Sequence, residues 1–252
     1  MSAPARDRWL VDWEARPGAS LTVVIVPHAL GGPSAYRAWP ALMPPSVDCK
    51  VANFPGRERR IGEAPATRLE VLADGLFQAI AAKVHTPVVL FGHSQGALIA
   101  FETARRTEAA GLPLELLAVS GCWAAHVNRP HPGLPSPDAD DDAVLRSLVA
   151  VGGVPDELLD DPSMVAVMTR LWRADAQVTT GYRFHDAFPP LQTPVVAFGG
   201  LGDELFTPAD LEGWAIHAAS SFTVRTFPGD HFYLDPEREA VITELLSQVR
   251  SH

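Results

Sequence analysis

A serine stands at the centre of the segment GHSQG, residues 92–96. The apolar run Val88 to Phe91 precedes the segment, and a stretch of helical periodicity follows it. Between a strand and a helix, a G-x-S-x-G segment forms a sharp elbow that raises the serine hydroxyl above the end of the sheet, at a helix N-terminus that favours developing negative charge. Ser94 is therefore the candidate nucleophile. The alternative, a tight turn that merely contains serine, is disfavoured because both strand and helix are in place.

A serine hydroxyl needs an imidazole to accept its proton and a carboxylate to orient that imidazole. Asp203 follows the predicted strand Pro194 to Gly199, and His231 follows the predicted strand Phe222 to Phe227. Both residues come just after the carboxyl ends of strands, where the functional groups of parallel sheets gather. The chain order Ser94, Asp203, His231 is the order found in α/β-hydrolases.

Other residues compete for the two supporting roles. Among the nine histidines, only His231 comes after the last predicted strand and before the terminal helix. For the acid, Glu204 stays open as an alternative, since the sequence does not exclude a one-residue shift in that turn. Asp230 is adjacent to His231 and would point away from it, while Asp210 and Asp235 fit the starts of helices.

A tetrahedral intermediate also needs two backbone N–H donors to hold its oxyanion. One comes from the residue after the nucleophile, Gln95, and the other from the loop after the first inner strand. That loop reads PHALGG at residues 27–32, and we assign the second donor to Ala29. Glycines there allow the backbone to approach a bound acyl group. The remaining loop residues are predicted to shape the loop and border the substrate: His28, Leu30, Gly31 and Gly32.

The elements that must position these residues alternate along the chain. Apolar runs bounded by Gly or Pro predict strands at Leu21 to Pro27, Cys49 to Phe54, Pro87 to Gly92, Leu114 to Ser120, Pro194 to Gly199 and Phe222 to Phe227. Helical periodicity marks Ala35 to Leu42, Arg68 to Val84, Gln95 to Ala110, Pro208 to Ala218 and Pro236 to Arg250. This alternation predicts an α/β fold, with helices flanking a mostly parallel central sheet. The order of the three candidate catalytic residues adds the expectation that it is the α/β-hydrolase fold.

Residues 124–190 interrupt the alternation, because they contain no convincing strand. A turn-rich stretch, Asn128 to Asp142, is followed by helical patterns near Ala143 to Val149 and Pro162 to Val178. A helical insertion over one end of the sheet is the more economical reading, and active-site lids are built this way. Since the three candidate catalytic residues must converge across one sheet, we expect a single domain, residues 1–252, with a lid insertion at 124–190.

Composition limits the function classes. The 252 residues include 30 acidic and 20 basic side chains, a formal charge of −10, and are 47% hydrophobic. Such a chain can bury a large core, and its negative balance argues against a nucleic-acid partner. No apolar run approaches the roughly 20 residues that span a bilayer, and Met1 to Val11 lacks the order of a signal peptide. We therefore expect a cytoplasmic protein without a membrane partner.

Metal and cofactor chemistry have no sequence support. Only two cysteines occur, Cys49 and Cys122, each within an apolar strand-like segment, which is typical of packing residues. Gly31-Gly32 follows a strand but lacks the spacing of a dinucleotide fingerprint, and no P-loop is present. We expect neither a metal nor a cofactor.

Six blocks, in order along the chain, resemble the type II thioesterases, the free-standing editing thioesterases of modular polyketide and nonribosomal peptide synthesis. The likeness covers nearly the whole sequence. The blocks are Pro27-His28-Ala29 with Gly31-Gly32, Tyr36-Arg37 and Trp39; Pro55-Gly56-Arg57-Glu58-Arg59-Arg60; Phe91-Gly92-His93-Ser94 with Gly96-Ala97; Ser120-Gly121; Gly199-Gly200 with Asp203; and Phe227-Pro228-Gly229 with His231-Phe232.

The resemblance implies a substrate and a partner. The substrate would be a stalled or mis-primed acyl group held as a thioester on the phosphopantetheine arm of an acyl or peptidyl carrier protein, which binds transiently to a monomer. It also implies a helical lid. The sequence departs from the family pattern at Gln95, where Met or Leu is usual, at Leu30, where glycine is common, and after Asp203, where a proline often follows.

Carrier proteins of this kind are acidic by the same resemblance, and this chain is acidic too, so overall charge cannot draw them together. Local positive charge would have to do so. We predict that Arg57, Arg59 and Arg60 contact the carrier protein or the pantetheine phosphate. The alternative is that these arginines belong to an ordinary solvated surface.

Three other functions stay open on sequence grounds. A carboxylesterase acting on oxygen esters would use the same triad. Acyl transfer or cyclisation from the same acyl-Ser94 intermediate would differ only in the acceptor. A non-catalytic binding module on the same fold is the least favoured, because such modules typically lose a member of the triad, whereas all three are present here.

Overall fold

The computed structural model describes residues 8–127, 133–150, 160–185 and 189–250. These residues form one sheet of seven strands in the spatial order β1-β3-β2-β4-β5-β6-β7, in which only the β1–β3 pair is antiparallel. The strands are β1 Leu10–Asp12, β2 Leu21–Val26, β3 Val47–Ala52, β4 Val88–His93, β5 Leu114–Ser120, β6 Val195–Gly200 and β7 Phe222–Phe227. The mostly parallel sheet with flanking helices confirms the predicted α/β-hydrolase fold.

Helices cover both faces of the sheet. They are α1 Trp39–Leu42, α2 Leu69–Lys83, α3 Gln95–Ala109, α4 Asp141–Ala150, α5 Pro162–Gly181, α6 Pro208–Leu211 and α7 Arg238–Arg250. Short 3-10 segments occur at Pro33–Tyr36, Glu58–Arg60 and Glu212–His217. Pro40 lacks the N–H that would continue a helix from the first of these segments, so the predicted helix Ala35 to Leu42 is divided into a 3-10 turn and α1.

Successive residues of an inner strand pack alternately into two apolar cores, one on each face of the sheet. Val24 and Val26 of β2 pack into the core beneath α2 and α3, whereas Val23 and Ile25 pack into the core beneath α1 and α7. All four side chains are fully buried. Because both faces of the inner strands are covered, these strands have nearly continuous apolar sequences.

Two helices of the predicted insertion lie between β5 and β6. Asp161 caps α5 by accepting hydrogen bonds from the N–H groups of Ser163 and Met164. The helices α4 and α5 share a small apolar cluster of their own, built around Val144 and Trp172, against which Ala29 and Leu30 pack. The helices therefore contact the loop after β2. Residues 128–132, 151–159 and 186–188 of the predicted insertion lie outside the described residues.

The described ranges contain neither a membrane-spanning helix nor a cluster of metal ligands. None of their helices combines the length and apolar character needed to cross a bilayer. Within those ranges, no three His, Cys, Asp or Glu side chains are grouped as metal ligands would be.

Candidate active site

Ser94 occupies a strained elbow between β4 and α3. Its backbone angles are φ 54° and ψ −124°, a conformation that L-residues rarely adopt. Two glycines permit this geometry. A Cβ on Gly96 would lie 2.1 Å from the carbonyl oxygen of Val26, and one on Gly92 would lie 2.2 Å from the carbonyl oxygen of Gly96. The Ser94 N–H donates to the carbonyl of Ser120 at 2.7 Å, which fixes the elbow against β5.

A buried carboxylate orients the candidate base. His231 Nδ1 lies 2.8 Å from Asp203 Oδ2, and both residues are buried. The other oxygen, Oδ1, accepts from the N–H groups of Leu205 at 2.8 Å and Phe206 at 3.1 Å. These bonds fix the carboxylate, so Nδ1 of the imidazole is engaged and Nε2 is left for proton transfer. Glu204, the alternative acid, is exposed, and it is Asp203 that bonds to His231.

The predicted oxyanion donors lie at the same cavity as Ser94. Gln95 is the first residue of α3, so its N–H is not used within the helix. Ala29 belongs to the loop after β2, which turns through a hydrogen bond of 3.0 Å from Gly31 N to His28 O. Ala29, Ser94 and Gln95 all line the cavity. Leu30, in the same loop, has φ 63°.

The cavity has a volume of about 280 Å³ and mostly apolar walls. One wall is contributed by α5, and other walls come from α3 and from the loops after β5 and β6. Apolar lining side chains include Leu98, Trp123, Leu134, Trp172, Ala176 and Phe206. A space of this size with apolar walls suits an aliphatic or aromatic group.

Three histidine rings, His28, His93 and the candidate base His231, lie close together. The ring centroids of His93 and His231 are 4.9 Å apart, and those of His93 and His28 are 5.8 Å apart. Burial, and then the neighbouring His231, lowers the pKa of His93 well below its usual value, and the same two causes with Arg57 lower the pKa of His28 to about 3. Both rings are therefore neutral at physiological pH, and neither repels a positive charge forming on His231.

His93 is held by a chain of hydroxyl groups. Its Nδ1 lies 2.9 Å from Ser120 Oγ, which lies 2.7 Å from the hydroxyl of Tyr233. Burial raises the pKa of Tyr233, so the phenol stays protonated. His93 Nε2 has no hydrogen-bond partner among the described residues. The ring thus packs against His231 as a fixed neutral group.

Two of the three arginines predicted to contact a carrier protein are buried in the structure. Arg57 is 3% exposed and donates to both carboxylate oxygens of Asp175, and Arg60 is 6% exposed, paired with Glu63. Both guanidinium groups are used inside the protein, because a buried cation needs a partner anion. Only Arg59 is exposed, and it lies over the ring of Trp13.

Asp175 is the site residue that the sequence reasoning missed. It is 1% exposed, lines the cavity, and accepts a hydrogen bond of 2.7 Å from the Leu30 N–H. A signal was available in the periodicity of α5. Met168, Trp172 and Ala176 define the buried stripe of this helix, and Asp175 falls within that stripe. An acid at such a position must have a buried partner.

The chain as a whole is similar to several known proteins. The thioesterase domain family matches residues 21–249. The gramicidin S biosynthesis protein GrsT of Aneurinibacillus migulanus is 31% identical over 251 residues, covering 97% of this chain and 94% of that protein. The phenyloxazoline synthase MbtB of Mycobacterium tuberculosis is 35% identical over 240 residues, but the match spans only 16% of that longer protein.

A solved structure agrees closely with the whole chain. The type II thioesterase BorB from the borrelidin biosynthetic cluster superposes with a TM-score of 0.86 at 33% identity. The match covers 96% of this chain and 98% of that chain. The similarity therefore includes the two-helix insertion as well as the sheet.

We predict that Gly96→Ala distorts the elbow. The added Cβ meets backbone atoms of Val26 and Pro27, which cannot rotate away, so we expect a loss of about 1–3 kcal/mol of unfolding free energy in urea titrations. The matched control is Gly62→Ala, where a Cβ has nothing within 4 Å and the expected change is below about 0.5 kcal/mol. Equal stability of the two variants would contradict the close approach.

We predict that His28 contributes to acid sensitivity. Its pKa of about 3 lies below the unfolded value, so its contribution to stability is complete above about pH 6.5 and is lost as pH falls toward 3. At about pH 5 the loss is roughly 1–2 kcal/mol. His28→Gln should reduce the stability difference between pH 7.5 and pH 5, measured by urea unfolding, by about that amount. An unchanged difference would refute the assignment.

Proposed function

The chain belongs to the thioesterase domain family, and we propose that it hydrolyses acyl groups from the phosphopantetheine arms of carrier proteins in polyketide or nonribosomal peptide synthesis. The predicted resemblance to type II thioesterases is confirmed, since BorB is one and matches nearly the whole chain. One observation carries the reaction type: Ser94 occupies a strained elbow that lines an apolar cavity. Phe206 lines the same cavity, and its ring centroid lies 5.6 Å from that of His231, the hydrogen-bond partner of Asp203.

In the proposed acylation step, Ser94 Oγ attacks the thioester carbonyl while His231 Nε2 accepts the hydroxyl proton. Asp203, bonded to Nδ1, holds the imidazole in the tautomer that can accept this proton and stabilises the imidazolium. The N–H groups of Ala29 and Gln95 hold the oxyanion. When the tetrahedral intermediate collapses, the carbon–sulfur bond breaks and His231 returns the proton to the pantetheine thiolate.

The proposed deacylation step repeats the chemistry with water. His231 takes a proton from a water molecule, whose oxygen attacks the acyl-Ser94 ester in the same oxyanion site. Collapse returns the proton to Ser94 Oγ and releases the free acid. The neutral state of His28 and His93 supports this cycle, because His231 carries a positive charge twice in each turnover.

We assign the insertion, residues 124–190, as a lid on a single domain. The support is that α5 contributes a wall of the acyl cavity, with Trp172, Ala176 and Thr179. A cavity of about 280 Å³ lies at the low end of the range for small-molecule sites, which favours a compact acyl group. The carrier protein as partner is part of this proposal, whereas a monomeric state and a cytoplasmic location stay predictions from the sequence.

The alternatives lack a specific observation in their favour. Esterase activity on oxygen esters and acyl transfer to an internal nucleophile would use the same residues. The relatives, however, include a type II thioesterase and a gramicidin S biosynthesis protein, which supports hydrolysis of carrier-bound chains.

The first prediction of this proposal concerns the triad. Ser94→Ala should abolish release of free acid from acyl-carrier protein, and Asp203→Asn should lower kcat by about 10⁴-fold because the imidazole loses the correct tautomer. Glu204→Gln is the matched control, since Glu204 is the exposed neighbour, and its kcat should stay within about twofold of the original. Release of free acid by Ser94→Ala at the wild-type rate would refute the proposed function.

The second prediction concerns the substrate. Carrier proteins loaded with straight acyl chains of increasing length should show kcat/KM highest for short chains and falling once the chain exceeds the cavity. Release of free acid is measured by mass spectrometry, with nitrophenyl esters of the same acids as controls. A preference for the nitrophenyl esters by orders of magnitude would favour the esterase alternative.

A further inference from the structure

One residue of the lid contacts both segments that supply the proposed oxyanion donors. The Asp175 carboxylate accepts a hydrogen bond of 2.7 Å from the N–H of Leu30, the residue after Ala29. The Asp175 backbone carbonyl accepts a hydrogen bond of 2.6 Å from Nε2 of Gln95. The loop after β2 and the start of α3 are thus joined through a single turn of α5.

The contact with Leu30 holds an unfavourable backbone conformation. Leu30 has φ 63°, a left-handed conformation that a branched residue seldom adopts without support. A hydrogen bond from its N–H to an ionised carboxylate is stronger than one between neutral groups. This bond therefore determines where the peptide between Ala29 and Leu30 lies. A change of direction in that peptide moves the neighbouring Ala29 N–H as well.

The contact with Gln95 ties the same point to the nucleophile elbow. Gln95 Nε2 also donates to Thr179 Oγ1 at 3.0 Å, and Thr179 Oγ1 donates back to the Asp175 carbonyl at 3.1 Å. The Gln95 side chain is consequently buried against α5 and does not enter the cavity as a free polar group. Gln95, whose backbone N–H is the other proposed donor, is fixed at both its backbone and its side chain.

A bare carboxylate beside an oxyanion site would oppose catalysis, because both groups are negative. Arg57 removes that conflict by donating to both oxygens of Asp175. Arg57 Nε is buried without a hydrogen-bond partner among the described residues, and the anion paired with this guanidinium is Asp175. Each member of the pair depends on the other to remain charged inside the protein.

We propose that Asp175 is a positioning residue that orients both oxyanion donors through Leu30 and Gln95, and that Arg57 neutralises its charge next to the reacting carbonyl. The proposal rests on the proposed function, since it assigns a role within the same reaction. It makes the lid helix part of the catalytic geometry as well as a wall of the acyl cavity. Asp175 acts through other residues and does not itself touch the reacting atoms.

The test measures kcat and KM on acyl-carrier protein, with active sites counted by complete titration with a fluorophosphonate so that unfolded protein does not contribute. Asp175→Ala should lower kcat per site roughly 10- to 100-fold with little change in KM, because misplaced donors act in the transition state. Asp175→Asn keeps an oxygen for the Leu30 N–H and should stay within about fivefold of the original. If neither variant lowers kcat, the proposal is overturned.

Charge neutralisation is tested by a double-variant comparison. Arg57→Met leaves the Asp175 carboxylate without a partner and should lower kcat per site at least as much as Asp175→Ala. Adding Asp175→Asn to Arg57→Met removes the unpaired charge and should restore most of the activity. A double variant no faster than Arg57→Met alone would refute the role assigned to Arg57.

A binding readout separates positioning from packing. A butyl trifluoromethyl ketone thioether adds to Ser94 as an anionic hemiketal, whereas the alcohol of the same skeleton fills the cavity without forming an oxyanion. Asp175→Ala should weaken inhibition by the ketone roughly 10- to 100-fold and by the alcohol less than about threefold. Equal weakening of both ligands would mean that Asp175 only shapes the cavity, and the proposal would be wrong.

Glu102→Gln provides the matched control. Glu102 is a buried acid on α3 that is paired with Arg105 and Arg106 and does not line the cavity. Its replacement therefore tests the general effect of breaking a buried ion pair. Its kcat per titrated site should be unchanged. Ser94→Ala, measured in the same assay, tests the proposed function separately. If Ser94→Ala is inactive while the Asp175 variants turn over at the original rate, only the role of Asp175 is overturned.

Discussion

The close approach of α3 to the end of β2 is the constraint on which the site depends. Because a Cβ on Gly96 would lie 2.1 Å from the Val26 carbonyl, only glycine allows the helix to begin at this distance from the strand. The approach sets the elbow, in which the strained backbone of Ser94 costs about 1–3 kcal/mol that the surrounding sheet must supply. It also places the loop after β2 at the same cavity as Ser94, the candidate nucleophile. The position of Ala29 therefore follows from the packing of the parallel sheet.

Burial of the site also determines which of its histidines can carry a positive charge. A buried imidazolium without an anion is costly, so His28 and His93 are kept neutral by their surroundings, while His231 has Asp203 at 2.8 Å. Of these three histidines, only His231 has a carboxylate partner within hydrogen-bond distance among the described residues. The Ser120 and Tyr233 hydroxyl groups satisfy one nitrogen of His93, which keeps that ring in place beside the base.

Local patterns predicted much of this arrangement. The order of strands and helices, and the bounds of α2 and α3 to within one residue, follow from apolar periodicity and from the glycines at residues 92 and 96. The strand β1 was missed because three residues at a sheet edge carry too little pattern. Arg57 was misread as a surface residue, since charge predicts solvent exposure only on average. Its partner lies 118 residues away on α5, and such a pairing depends on tertiary contact that no local sequence pattern encodes.

The burial of Arg57 and Arg60 leaves less exposed positive charge to attract an acidic partner. With a formal charge of −10 and two of the three clustered arginines used inside the protein, attraction between this chain and an acidic carrier has little local support. On the proposed function, discrimination must then arise where the acyl group enters the cavity. Tight docking of the carrier protein would lower KM for every loaded carrier alike. The fit of the acyl group beside Ser94, in contrast, changes kcat/KM by a different amount for each substrate. An editing enzyme needs the second kind of selectivity, because its task is to choose among acyl groups on similar carriers. The coupling of α5 to both oxyanion donors through Asp175 would place that choice in the catalytic step itself.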